Sequence, residues 1–394
     1  MDSTLDTLLQ QQLTALDAAK RRRRLRPVSL ADGRLRDSGG RVLIDASSND
    51  YLGLSQHPLV KARAAEWAER HGAGAPASRL ITGTRDVTLA VEEKLAAFKG
   101  CEAALLFSSG FQANATVIPA LARVGAGETA IFSDALNHAS IVHGCRAARA
   151  TTQVFRHNDL GHLDDLLNQH SGKPGRKLIL TESVFSMDGD RADLPALAQL
   201  AERHGATLYV DDAHASGVLG PQGRGLAAEC DRVDVVMGTL GKAFGAFGAY
   251  VAGSRTLIDW LVNSCPGFIY TTALPPAVLG AVDAALDLVP GMDAERARLA
   301  QNAQHLRDIL KLRNYDTLGS MTQIVPAVIG SEEDALAAAQ KLKEAGILAV
   351  AIRPPTVPEG TSRLRLTLSS ALSETDMQRL LEVVANSLPA RAEA

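Results

Sequence analysis

Lys242 ends the stretch Val235-Val236-Met237-Gly238-Thr239-Leu240-Gly241-Lys242, just after a short apolar run. An earlier run, Ala206-Thr207-Leu208-Tyr209-Val210, delivers Asp211, Asp212 and His214. An amine that ends a buried strand is desolvated, and desolvation lowers the pKa of a lysine. Gly241, Ala243 and Gly245 leave room for a flat ligand against the backbone. With an acid and a histidine on a neighbouring strand end, these are the parts of a Schiff-base lysine serving pyridoxal 5′-phosphate, the acid facing the pyridine nitrogen. The alternative is a buried lysine held in an ion pair by Asp211 or Asp212.

Four further stretches carry candidate chemistry. Phe107-Ser108-Ser109-Gly110-Phe111 reads as a strand end, a small-residue turn and a helix start near Gln112, which is an anion site. Asp134-Ala135-Leu136-Asn137-His138 puts an imidazole at another strand end, where it could lie over an aromatic ring. Glu182 to Asp190 is a polar loop in which Ser186 could reach a phenolic oxygen. Ala351 to Arg365 contains Pro354, Pro355 and Pro358, which predict an extended, rigid loop with arginines at both ends, suited to carboxylates. No Gly-x-Gly-x-x-Gly or Gly-x-x-x-x-Gly-Lys-Ser/Thr motif occurs, so dinucleotide and P-loop readings lack support. A metal reading would join Asp211, His214 and His138, but no other ligand spacing supports it.

The elements that must position these residues read as a strand–helix alternation. Apolar runs at 103–107, 129–133, 152–155, 177–181, 207–212, 234–239 and 248–252 alternate with helical stretches such as 163–169 and 195–204. This predicts an α/β fold with a mostly parallel sheet covered on both faces, and ligands at the carboxyl ends of its strands. Beyond it, helices at 275–289 and 293–312 precede a smaller α+β region with strands at 323–329, 347–352 and 363–368 and helices at 332–345 and 374–386. At the start, Leu5, Leu8, Leu9, Leu13 and Leu16 form a helical stripe, predicting one amphipathic helix over 3–24 that runs into Lys20-Arg21-Arg22-Arg23-Arg24. Basic residues in a last turn suit the helix dipole; the alternative for that run is an anion site.

The bulk numbers narrow the class. With 394 residues the chain suits about two domains. Apolar residues make up 46%, enough for a large core. Net charge is −3, so no strong field favours nucleic acid. The four cysteines, Cys101, Cys145, Cys230 and Cys265, are scattered and suit free thiols in a reducing, cytoplasmic setting. No apolar run is long enough to predict a signal peptide or a membrane span.

These motifs, in this order, closely resemble the α-oxoamine synthases, a pyridoxal-phosphate family. The resemblance runs from Ser48-Asn49-Asp50-Tyr51-Leu52-Gly53-Leu54 through Ser109-Gly110-Phe111, His138, the 182–190 loop, Asp211-Asp212-Ala213-His214 and Thr239-Leu240-Gly241-Lys242 to Arg353–Arg365. It implies the aspartate aminotransferase-like fold (type I), with a seven-stranded, mostly parallel large domain over 49–288, an arm over 1–48 and a small α+β domain over 289–394. The chain departs from the family at Gly72-Ala73-Gly74-Ala75-Pro76-Ala77-Ser78-Arg79, where Pro76 stiffens a stretch that is usually Gly/Ser-rich.

By position, the resemblance implies Lys242, Asp211 and His138 as catalytic residues. Lys242 forms the Schiff base, Asp211 contacts the ring nitrogen and His138 stacks on the ring. His214 and Ser186 bond the phenolic oxygen. Gly110, Phe111 and Thr239 hold the phosphate, with Thr271 or Thr272 from a partner subunit of a homodimer. Arg23, Asn49, His138, Arg353, Thr356 and Arg365 contact substrate. The Ile352–Pro358 segment is similar to members that join L-alanine to a pimeloyl thioester on coenzyme A or an acyl carrier protein, with loss of carbon dioxide, during biotin assembly. The alternative is a sister enzyme joining glycine to a short acyl-CoA.

Overall fold

Seven strands form the central sheet of the computed structural model, which describes residues 4–31, 33–125 and 127–391. In chain order they are β1 (Ala103–Phe107), β2 (Ala130–Asp134), β3 (Thr151–Phe155), β4 (Lys177–Glu182), β5 (Ala206–Asp211), β6 (Val235–Thr239) and β7 (Ala249–Gly253). Their spatial order is β1-β7-β6-β5-β4-β2-β3. Only β7 runs against its neighbours, pairing antiparallel with β1 and β6. The strands β1 and β2 are buried at every residue, whereas the edge strand β3 is largely exposed. Helices on both faces explain the unbroken apolar runs; a half-covered sheet would alternate. Each sequence-predicted strand of the large sheet is present to within one or two residues.

The chain divides into two compact units, one of residues 49–186 and 190–298 and the other of 1–48, 187–189 and 299–394. In the first unit several helices start on short polar caps. Ser109 caps Gly110–Ala122, and Asp193 caps Leu194–His204, which ends at Gly205 with φ 61°. The helices Pro58–His71, Asp86–Lys99 and Arg255–Ser264 were not foreseen. In the second unit, Ile324–Gly330, Ser362–Thr367 and Val350–Ile352 form an antiparallel sheet. Residues 1–48 group with the C-terminal part because Ile347 and Leu348 pair in parallel with Ile44 and Asp45.

Two local expectations are corrected. The first helix spans Thr4–Ala18, so the arginine run lies beyond it rather than in its last turn. Lys20 adopts φ 54°, and the N–H groups of Arg21 and Arg22 return to Leu16 O, which closes the helix. The leucine stripe of this helix stays largely exposed. Residue 3, and the domain ends at 1–3 and 392–394, lie outside the described residues. The proline-rich loop is not extended: Thr356 N–H returns to Arg353 O and Thr361 N–H to Pro358 O, folding it into two turns.

Candidate active site

Strand ends bring the first unit's candidates together. From β1 the chain turns through Ser108 into the helix capped by Ser109, whose Oγ accepts from Gln112 N at 3.1 Å. The N–H groups of Gly110 and Phe111 then belong to a first helical turn, which has no intrahelical acceptor for them. A Cβ at Gly110 would lie 2.6 Å from Thr239 Cγ2, so only glycine fits between the helix start and the end of β6. The Thr239 Oγ1 is buried and makes no hydrogen bond among the described residues. A buried orphan hydroxyl beside unpartnered first-turn N–H groups fits a phosphate. Phe111 is half-exposed, with its ring against His143. Gln112 ties this start to the segment after Gly267, donating to Gly267 O at 2.6 Å and Thr271 Oγ1 at 2.7 Å. Thr272 bridges to Ser78 and is exposed.

Asp211 ends β5 and is buried. Its Oδ2 accepts from Asn114 Nδ2 at 2.8 Å and its Oδ1 from Ala213 N at 3.0 Å. Burial raises its pKa, while Lys242 and those hydrogen bonds pull it down again. A carboxylate kept in apolar surroundings is suited to hold a charged ring nitrogen opposite it. Lys242 follows β6 and is half-buried rather than buried. His138 is exposed. Loss of water around its ring lowers its pKa; Asp211 raises it and Lys242 lowers it further. Lys242, Asp211 and His138 lie at or just beyond the carboxyl ends of β6, β5 and β2, on one edge of the sheet. Glu182, at the end of β4, accepts from His138 N at 2.6 Å, and burial followed by Asp211 pushes its pKa well up.

His214 and Ser186 are both buried. Tyr51 Oη lies 2.7 Å from His214 Nδ1 and donates to Asn49 Oδ1 at 3.0 Å, so Asn49 and His214 share one tyrosine. His157 lies between two carboxylates, with Nδ1 2.9 Å from Asp134 and Nε2 2.8 Å from Asp190. Its ring also packs edge-on against Phe185. It therefore joins the turn leading to His138 with the loop carrying Ser186. Among the described residues no group of histidine, cysteine, aspartate and glutamate could hold a metal ion.

The second unit gathers other candidates by itself. Arg23 donates to Thr356 Oγ1 at 3.0 Å, and Arg353 donates to Lys20 O. Partial burial, then the charges of Arg23 and Arg26, lower the pKa of Arg353, so three guanidiniums crowd one patch. Arg21 is held between Glu332 at 2.9 Å and Glu359 at 2.8 Å. Arg365 is buried on its strand. Arg363, two residues before Arg365 on the same strand, pairs with Asp188.

Residues 41–384 match the model for aminotransferase class I and II proteins. The chain belongs to that family. A Gluconacetobacter diazotrophicus relative named 8-amino-7-oxononanoate synthase is 55% identical over 383 residues, 96% of each chain. A solved serine palmitoyltransferase with pyridoxal phosphate is 30% identical, with TM-score 0.89 over 98% of each chain. The solved Francisella tularensis 8-amino-7-oxononanoate synthase is 29% identical, with TM-score 0.73 over 87% of this chain and 97% of its own. The aspartate aminotransferase-like fold expected from sequence is therefore correct, and the cofactor of this aminotransferase-family enzyme is pyridoxal phosphate.

Sequence reasoning did not single out Asn114, Ser140, Tyr51 or His157, and noted Glu182 only as the start of a loop. Asn114 and Ser140 sit on helices among small and apolar residues. Nothing in their spacing marks them; their roles come from neighbours distant in sequence.

Proposed function

We propose that this enzyme joins L-alanine to a pimeloyl thioester, giving 8-amino-7-oxononanoate, carbon dioxide and the free carrier thiol, in biotin biosynthesis. The observation that supports the chemistry is geometric: Asp211 is buried at the end of β5, and on the same sheet edge, just before Lys242, the Thr239 hydroxyl, without a hydrogen-bond partner among the described residues, closes on the helix start at Gly110. Pyridoxal phosphate, when bound, supplies an electron sink for the alanine α-carbon.

In this reading Lys242 Nζ would hold the cofactor and, as a free amine, would take the α-carbon proton of alanine. General-base steps of this kind contribute about 10²–10⁴ in rate. Asp211 holds the ring nitrogen charged. His138 lies against the ring face, and His214 and Ser186 hold the phenolic oxygen. The N–H groups of Gly110 and Phe111 and the Thr239 hydroxyl take the phosphate, joined by Thr271 or Thr272 of a partner subunit in a homodimer. Asn49 and Arg365 steady the alanine carboxylate. Arg23, Thr356 and Arg353 receive the distal carboxylate of the acyl chain, which the crowding of guanidiniums supports. No helix among the described residues is long and apolar enough to cross a membrane, and a cytoplasmic setting fits the free cysteines.

The test is a product assay. Purified enzyme with alanine and pimeloyl-CoA should release carbon dioxide and coenzyme A in equal amounts, with 8-amino-7-oxononanoate identified by mass. Turnover of glycine with a short acyl-CoA, and none of alanine with pimeloyl-CoA, would assign the sister reaction instead.

A further inference from the structure

We propose that Ser140 and Asn114 are positioning residues that hold neutral His138 as the tautomer with its proton on Nε2. A chain of hydrogen bonds, buried from Tyr209 and Asp211 as far as Ser140, fixes each donor in turn. The Asp211 carboxylate only accepts, so the group of Asn114 that faces its Oδ2 at 2.8 Å is the amide nitrogen. Turned the other way, the amide oxygen would confront the carboxylate. The other end of the amide is closed by Tyr209, whose hydroxyl donates to Asn114 Oδ1 at 2.6 Å. The second hydrogen on Asn114 Nδ2 goes to Ser140 Oγ at 2.9 Å. Ser140 Oγ accepts there, and its own hydrogen is directed along the 2.7 Å contact to His138 Nδ1. The backbone N–H of Ser140 donates to the same nitrogen at 3.2 Å.

Two donors therefore converge on Nδ1, which must present its lone pair, and the ring proton of neutral His138 sits on Nε2. Tyr209 and Asn114 are 0% exposed and Ser140 is 1% exposed, so water does not replace a missing partner. The charge on Asp211 thus sets which nitrogen of His138 can donate, although the two side chains serve different parts of the site. The functional consequence, Nε2–H as the donor available to substrate, rests on the reading of His138 proposed above. The tautomer does not.

The experiment uses full-length protein labelled with ¹⁵N-histidine, read by long-range proton–nitrogen correlation at about pH 8, where a histidine of lowered pKa is neutral. His138→Asn identifies the signal among the ten histidines. The expected result is an unprotonated Nδ1 and a protonated Nε2 in the wild type. In Ser140→Ala the two nitrogen shifts move towards each other as both tautomers become populated, and Ser140→Thr returns them. A wild-type His138 with its proton on Nδ1 overturns the proposal, whether or not the variants fold. So do nitrogen shifts that Ser140→Ala leaves unmoved. Turnover of alanine and pimeloyl-CoA is measured separately. Its absence beside a protonated Nε2 would sink the assigned reaction and leave the tautomer standing.

Discussion

Lys99 and Asp212 form a fully enclosed ion pair, 2.9 Å apart, with side chains 1% and 0% exposed. Burial works against the ammonium, but Asp212 and Tyr250 hold its pKa above the usual lysine value. Asp212 also accepts from Ser183 Oγ at 2.7 Å and from Leu226 N at 3.2 Å. The second of two adjacent aspartates is therefore committed to the fold, whereas the first, at the end of β5, accepts from Asn114. Strand pleating points neighbours to opposite faces, which is why one pair of identical residues does two jobs.

Removing one side of that pair leaves a buried charge without its partner. Lys99→Met should lower stability by about 3–5 kcal/mol, read from urea unfolding. Adding Asp212→Leu should recover part of the loss, because the stranded carboxylate is gone. A loss below about 1 kcal/mol in the single variant would show that the pair does not hold this turn.

The Thr239 hydroxyl has no hydrogen-bond partner among the described residues, so losing it should cost the cofactor and not the fold. Thr239→Val should weaken pyridoxal phosphate binding about tenfold or more, the scale of one hydrogen bond to a charged group, with thermal stability of the cofactor-free protein unchanged or raised. Gly110→Ala should weaken binding as well, because its Cβ would collide with the threonine methyl. Full cofactor affinity in both variants would place the phosphate elsewhere.

His157 carries a pH-dependent share of stability. Burial opposes its charge, but hydrogen bonds to Asp134 and Asp190 raise its pKa from 6.5 to about 10. A raised folded-state pKa gives stability that is complete below the unfolded value and is lost as pH rises towards the folded one. The wild type should therefore lose this contribution between about pH 6.5 and pH 10, and His157→Gln should flatten that part of a chemical-denaturation profile. An unchanged slope in the variant would mean that His157 is neutral in the folded protein. Because the residue pins the turn before His138 and the loop of Ser186, the variant should also lower turnover.

Arg23→Ala should raise KM for the pimeloyl thioester about tenfold, as loss of a charged hydrogen bond implies, and leave KM for alanine nearly unchanged. Equal loss for both substrates would make Arg23 a structural partner of Thr356 and nothing more.

Much of this was legible from residue order alone. Seven apolar runs set the large sheet because strands covered on both sides need no alternation. Gly110, His138, Asp211 and Lys242 could be nominated because each ends or follows such a run, at the edge where a parallel sheet binds ligands. The hairpin and helices of residues 28–99 were missed: the hairpin strands bury no residue, and in Asp86–Lys99 the buried polar residues Thr88, Glu92 and Lys99 interrupt the apolar stripe of Val91, Leu95 and Phe98.

The sequence by itself determined the architecture and the family and nominated Lys242, because these depend on local pattern and on motif order. Only the tertiary structure decided how the groups are partnered. It gave Asp212 to Lys99, Arg363 to Asp188 and Glu182 to the backbone of His138, and it placed Asn114 between Asp211 and Ser140. The physical reason is that hydrogen-bond partners are chosen by position in three dimensions. Residues far apart along the chain meet where strands end, and no spacing in the sequence records that meeting.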